Sequence, residues 1–119
     1  MLRTIIIDDE AHIRDTLTRL LENYCPQVSV VGEAEGVADG IKAIKETNPD
    51  LILLDINMKD GTGFDLINSF PEINFKVIII SAFNKHTIQS IKVNGLEFLM
   101  KPFDPEELKA AISRSGNWE

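Results

Sequence analysis

Hydrophobic residues along this chain fall into two patterns that alternate from end to end. Short unbroken runs at Thr4-Ile5-Ile6-Ile7, Val28 to Val31, Leu51 to Leu54, Val77 to Ile80 and Phe98 to Met100 lack polar alternation, as expected for strands covered on both faces. Between them, apolar residues recur at helical spacing. Ile13, Leu17, Leu20, Leu21 and Tyr24 form one stripe among Arg14, Asp15, Arg19 and Glu22, and Pro26 follows it. Val37, Ile41 and Ile44 form a second stripe, weakened at Gly40, that stops at Asn48-Pro49, where proline disfavours helix in the residue before it. Gly63 through Phe64, Leu66 and Ile67 to Phe70-Pro71 predicts a short third helix. Lys85 to Val93, with Ile88 and Ile91 inward, predicts a fourth. A fifth opens at Asp104-Pro105, a good N-cap and first-position pair, with Glu106 and Glu107 at the positive end of the helix dipole.

Five βα units joined by short connections predict an α/β fold. It is a three-layer (βα)5 doubly wound parallel sheet of the flavodoxin-like kind, with strand order 2-1-3-4-5 and right-handed crossovers. All strand C-termini of such a sheet lie along one edge, and ligand chemistry belongs in the crevice between strands 1 and 3. The five apolar runs end in Asp8-Asp9, Gly32-Glu33, Asp55, Ser81 and Lys101-Pro102. Four of these endings are predicted to converge, whereas Gly32-Glu33, on strand 2, lies to the side and counts as scaffold.

The composition fits one folded domain, expected over residues 1–114, with 115–119 a linker stub that has no periodicity. A net charge of -7 argues against this chain gripping nucleic acid or an anionic membrane by itself. The single Cys25 excludes an internal disulfide, and no apolar run approaches the ~20 residues of a membrane span. The first residues read as a strand and not as a signal peptide, so the expected compartment is the cytoplasm.

Three carboxylates brought together repel one another and raise each other's pKa unless a cation is present. Oxygen-only ligands select a hard dication, here Mg²⁺ or Mn²⁺, which keeps several waters and is commonly shared with a phosphate. A carboxylate beside such an ion and a lysine can attack phosphorus and form an aspartyl phosphate, whose oxygens the ion, Lys101 and the Ser81 hydroxyl would stabilise. Asp55, alone at the centre of the edge, is the expected nucleophile, and the adjacent Asp8-Asp9 pair is better suited to the metal. Each residue also has a plainer reading. Asp9 suits the N-cap of the first helix, and Asp8 and Asp55 suit strand-end turns. Ser81 suits a local backbone bond and Lys101 a surface lysine. All of them together require four coincidences at one edge.

The set Asp8-Asp9, Leu53-Leu54-Asp55-Ile56-Asn57-Met58, Gly61-Thr62-Gly63-Phe64, Ser81-Ala82 and Lys101-Pro102-Phe103 resembles the receiver domain of two-component response regulators over essentially the whole chain. The resemblance implies that Asp55 accepts a phosphoryl group from a sensor kinase phosphohistidine, without turnover as an enzyme. It implies Asp9, Asp55 and the backbone carbonyl of Asn57 as metal ligands, with Asp8 acting largely through water. It makes Ser81 and Phe98 the hydroxyl and aromatic switch positions, and Lys101-Pro102 a candidate cis bond. Closure of the loops onto a phosphoryl group would alter the face made by the fourth helical segment, fifth strand and fifth helical segment, where partners or a second copy would dock.

Lys59 stands where such domains often have proline, and Phe98 where tyrosine is commoner. Phe83 and Asn57 occupy positions expected to tune the lifetime of the acyl phosphate. The stretches Asp60 to Ile67, Ile88 to Lys92 and Leu96 to Pro102 resemble receivers that precede a LytTR DNA-binding domain. DNA would then be reached only through a C-terminal domain outside this chain. Two other readings are a partner-binding pseudo-receiver and a haloacid-dehalogenase-like phosphatase. The phosphatase would need an Asp-x-Asp nucleophile on strand 1 and a cap domain, and the pseudo-receiver would typically have lost a site residue. The acidic loop after strand 1 does not suit a flavin phosphate, and there is no Walker-type lysine loop. His12 and His86 read as solvated helix-surface residues, and Cys25 as a half-buried helix end.

Overall fold

The computed structural model describes residues 1–81, 96–101 and 103–115. The predicted fourth helix, with Ile88 and Ile91, lies outside the described residues, as do Phe83, His86, Pro102 and the tail from Gly116. The order of elements is β1 (Leu2–Ile7), α1 (Ala11–Tyr24), β2 (Val28–Ala34), α2 (Val37–Thr47), β3 (Leu51–Asp55), β4 (Asn57–Met58), β5 (Gly61–Thr62), α3 (Gly63–Asn68), β6 (Lys76–Ser81), β7 (Leu96–Met100) and α4 (Pro105–Ser115).

β2, β1, β3, β6 and β7 form a five-stranded sheet in that order. Every pairing in it is parallel. Counting only the five predicted strands, this is the expected 2-1-3-4-5. Ile5, Ile7, Ile52, Leu54, Val77 and Ile79 point to one face and pack with Ile44, Leu66 and Ile67 of α2 and α3. Ile6, Leu51, Leu53, Ile78 and Ile80 point to the other and pack with Leu17, Leu21, Leu108, Ala111 and Ile112 of α1 and α4. Successive strand residues alternate faces, so both faces being covered explains why the central runs carry no polar residue.

Several helix ends follow the sequence closely. Asp104 caps α4 by accepting the Glu107 amide at 2.8 Å, and Glu107 accepts the Asp104 amide in return at 3.4 Å. α2 ends at Asn48 in the left-handed conformation, φ 48°. Arg3 donates to the carbonyls of Thr47 and Asn48, which satisfies acceptors that the helix leaves open.

Other details differ from expectation. Tyr24, the last of the predicted α1 stripe, is exposed, and Cys25 is fully buried in its place. The chain leaves the helix there, with the Cys25 amide bonded to Leu21 and its carbonyl accepting from Val28, so the side chain turns inward. α3 stops at Asn68, short of Phe70-Pro71, and Phe70 instead meets Phe75 edge-on with ring centres 5.5 Å apart. The antiparallel hairpin of β4 and β5 has no counterpart among the predicted elements.

Gly40 does more than weaken α2. A Cβ there would lie 2.6 Å from a Leu66 methyl and 3.1 Å from an Ile7 methyl, so its absence lets α2 sit against both α3 and the sheet. Gly40→Ala is expected to lower stability by roughly 1–3 kcal/mol through overpacking, outweighing the ~1 kcal/mol by which alanine favours a helix over glycine. A urea midpoint equal to or above that of the parent would contradict it.

Candidate functional site: a carboxylate cluster at the sheet edge

β1 and β3 are neighbours with Ile7 opposite Leu54, so the residues that follow, Asp8-Asp9 and Asp55, emerge side by side. Asp8, Asp9 and Asp55 each offer an oxygen within 4.8 Å of the others. β6 ends at Ser81 and β7 brings Met100 opposite it, which sets Lys101 at the same edge with its amide bonded to the Ser81 carbonyl at 2.9 Å. Lys101 Nζ lies 3.6 Å from Asp8 Oδ2. The fold thus brings Asp8, Asp9, Asp55 and Lys101 together, with Ser81 at the end of the strand paired to the one before Lys101.

Asp8 and Ser81 are withdrawn from water, while Asp9, Asp55 and Lys101 are half-buried. Asp8 is 2% exposed and Ser81 3%. Burial pushes the Asp8 carboxyl above its usual range, against a lowering by the Glu10 amide bonded to it at 2.9 Å and by Lys101. Asp55 is pushed up to about 6, first by burial and then by the negative charge of Asp8, with Lys101 opposing. Among the described residues three carboxylates gather beside the Lys101 ammonium, and the excess of negative charge with oxygen-only donors fits a hard dication.

Asp9 is not the cap of α1. Glu10 holds that position, without a side-chain hydrogen bond, so the Asp9 carboxylate is not engaged with the helix end. Asn57 starts β4 and is exposed, while Met58 beside it enters the core. The Ile56 carbonyl is taken by the Gly63 amide at 2.7 Å. Gly63 itself has no room for a Cβ, which would fall 2.8 Å from the Asp55 carbonyl oxygen. Phe98 is partly buried and packs against the α2 and α3 side of the core.

Two supporting residues escape sequence reasoning. Arg14 donates from Nη1 to the Asp8 carbonyl at 2.6 Å and from Nε to Glu33 at 3.1 Å, so the Gly32-Glu33 ending is more than scaffold and helps hold the first strand's end. Asp60 bonds the start of α2 from the hairpin turn. Arg14 is visible in the sequence only as the polar flank of a stripe, and no spacing rule ties position 14 to 33. For Asp60, the Asp60-Gly61 pair is a usable turn signal.

Comparison with known proteins places this arrangement. Residues 4–113 match the response regulator receiver domain family. An uncharacterized response regulatory protein of Vibrio parahaemolyticus is 37% identical over 115 residues, covering 96% of this chain and 47% of its own length. The sensory transduction protein LytT of Bacillus cereus is 30% identical over 116 residues, again with 96% and 47% covered. The chain thus spans about half the length of the curated relatives it matches. A solved LuxR-family DNA-binding response regulator from Staphylococcus aureus superposes with a TM-score of 0.85 at 25% identity, covering 98% of this chain and all of that one.

Between the ordinary carboxylate value of 3.8 and about 6, native Asp55 keeps a proton that the unfolded chain has released. The stability this contributes is full below the lower value and lost as pH rises through the upper one. In chelator-treated buffer, stability should therefore fall between roughly pH 4 and 7, with Asp8 adding in the same direction. Asp55→Asn should make the fall shallower and raise the denaturation midpoint at neutral pH. Parallel pH profiles for the two proteins would refute the assignment.

Proposed function

The chain belongs to the response regulator receiver domain family, and on that premise we propose that it takes a phosphoryl group onto Asp55 from the phosphohistidine of a sensor histidine kinase. The observation that carries the reading is the meeting of Asp8, Asp9 and Asp55 within 4.8 Å, beside Lys101. An Asp55 oxygen attacks phosphorus, the P–N bond breaks, and the histidine nitrogen leaves and takes up a proton. Asp55 is the phosphorylation site. Asp8, Asp9, Asp55 and the Asn57 carbonyl would hold Mg²⁺, or Mn²⁺ in its place. That ion would supply positive charge to the transferring phosphoryl oxygens. Lys101, already at the edge, pairs with one of those oxygens, and the Ser81 hydroxyl donates to another.

Asp55, raised to about 6 by burial and by Asp8, would be held in its ionised, attacking form over a wider pH range if an ion offset the neighbouring negative charges. Contact of the phosphoryl group with Ser81 and Lys101 draws the loops after β3, β6 and β7 inward and biases Phe98, which sits on β7 and against the core. Transfer and later hydrolysis occur once per signal, so the domain acts as a switch and not as a turnover enzyme.

Residues 1–114 form the switch in this reading, with 115–119 as the stub of a linker, and the working compartment is the cytoplasm. No helix among the described residues is long and apolar enough to cross a membrane. The similarity to LytT and the half-length match support an output domain beyond this chain, of LytTR type, through which DNA would be controlled. The face around β7 and α4 is where a second copy would pair.

Incubation with Mg²⁺ and acetyl phosphate or phosphoramidate should add one phosphoryl mass, stable in acid and cleaved by hydroxylamine. The adduct should vanish in Asp55→Asn and when chelator replaces Mg²⁺. No adduct in the parent protein, or an undiminished one in Asp55→Asn, would remove the mechanism. Binding to a partner regardless of phosphorylation would favour a pseudo-receiver.

A further inference from the structure

The hairpin that follows Asp55 is anchored unequally at its two ends. At its base, Met58 enters the core, the Gly63 amide holds the Ile56 carbonyl, and Thr62 and Asp65 form a capping box that starts α3. Its turn is Lys59-Asp60, since Met58 pairs with Gly61. Among the described residues, the turn is held to the rest of the fold through Asp60. Its Oδ1 accepts the Val37 amide at 2.8 Å and its Oδ2 the Ala38 amide at 3.1 Å. These are the first two amides of α2, which the helix cannot satisfy internally. The paired bonds hold the Asp60 carboxyl below the usual carboxylate range.

Gly36 is fitted to this contact. Its backbone is extended, φ -171°, which any residue adopts. A Cβ would fall 2.6 Å from Asp60 Oδ1, 3.1 Å from its Cγ and 3.2 Å from its Oδ2, and those are the nearest atoms it would meet. The missing side chain at position 36 thus makes room for the Asp60 carboxylate. Asp60 and Gly36 also share with Asp9 the wall of a cleft of about 290 Å³, so the tie lies beside the carboxylate cluster.

We propose that Asp60 is a positioning residue. By fastening the hairpin turn to α2, it fixes the backbone of Asn57 relative to Asp9 and Asp55 and so raises the affinity of that cluster for a divalent cation. The proposal rests on the metal reading given above. It assigns Asp60 no contact with the ion.

The test is Mn²⁺ binding to the purified chain, followed by electron paramagnetic resonance of the free ion. Asp60→Ala and Gly36→Ala are each expected to weaken binding by about 5- to 10-fold, near the lower bound for loss of a group that orients a metal ligand. Gly36→Ala changes no charge, so its effect cannot come from altered electrostatics. In the double variant, Gly36→Ala should add nothing to Asp60→Ala, because the group it would strike is gone. Asp39→Asn, which removes a charge from the same cleft without touching the tie, should cost less than ~2-fold, as expected of an exposed and screened charge. Amide exchange at Val37 and Ala38 should quicken in both single variants.

Binding by Asp60→Ala equal to the parent, an equal loss in Asp39→Asn, or additive losses in the double variant would overturn the proposal while leaving the metal site intact. No Mn²⁺ binding by the parent would overturn the metal reading and this inference with it.

Discussion

Asp8 is withdrawn almost completely from water within reach of Asp9 and Asp55, and a fold that does this must resist the repulsion it creates. The resistance comes from the sheet. β1 and β3 are held by a parallel ladder from Thr4 opposite Leu51 to Ile7 opposite Leu54, and both strands are buried on each face. Moving the carboxylates apart would mean breaking that ladder or exposing isoleucine and leucine at roughly 25 cal/mol per Å². Burial first, and for Asp55 the charge of Asp8 next, accordingly raises both carboxyls, so that they take up protons more readily. The raised carboxyls of Asp8 and Asp55 are thus a property of the scaffold as much as of the site.

The surroundings of the cluster are stiff where they touch it. Gly63 packs its backbone against the Asp55 carbonyl with no space for a methyl group, and Arg14 grips the Asp8 carbonyl while paired to Glu33. Both contacts hold main chain and occupy none of the carboxylate oxygens. A site meant only to be stable would place the guanidinium on a carboxylate, where a bidentate pair is strongest. Here Arg14 is matched to the exposed Glu33, and the buried Asp8 is served by the Lys101 ammonium at 3.6 Å.

Much of this is legible in the order of residues along the chain. Unbroken apolar runs identify strands covered on both faces, and their polar endings locate the edge, because a parallel sheet has only one C-terminal side. Asp104-Pro105 marks its helix start because capping is local chemistry, carried by residues three apart. What escapes is non-local or two-valued. The β4–β5 hairpin has strands of two residues each, too short for any period to register. Tyr24 keeps the phase of its stripe, yet the helix ends at that residue and Cys25 takes the buried place. Arg14 with Glu33, and Asp60 with Val37, join side chains to partners brought close by the crossovers, and no sequence spacing encodes such a pairing.

The position of the residues that escape has a physical logic. Asp8, Asp9, Asp55, Ser81 and Lys101 are legible because their chemistry needs particular side chains at strand ends. Residues that orient them need only reach a backbone group, and many side chains in many places can do that. Gly36 illustrates the difference. Its own conformation suits any residue, and its reason for being glycine lies in the Asp60 carboxylate 2.6 Å from where its Cβ would stand. A constraint of that kind belongs to a pair of residues from different loops, so it becomes visible only once the fold has set α2 against the hairpin. Reactive groups are therefore found by type and position along the chain. The groups that hold them in place are found by asking which contacts on the finished fold leave no space to change.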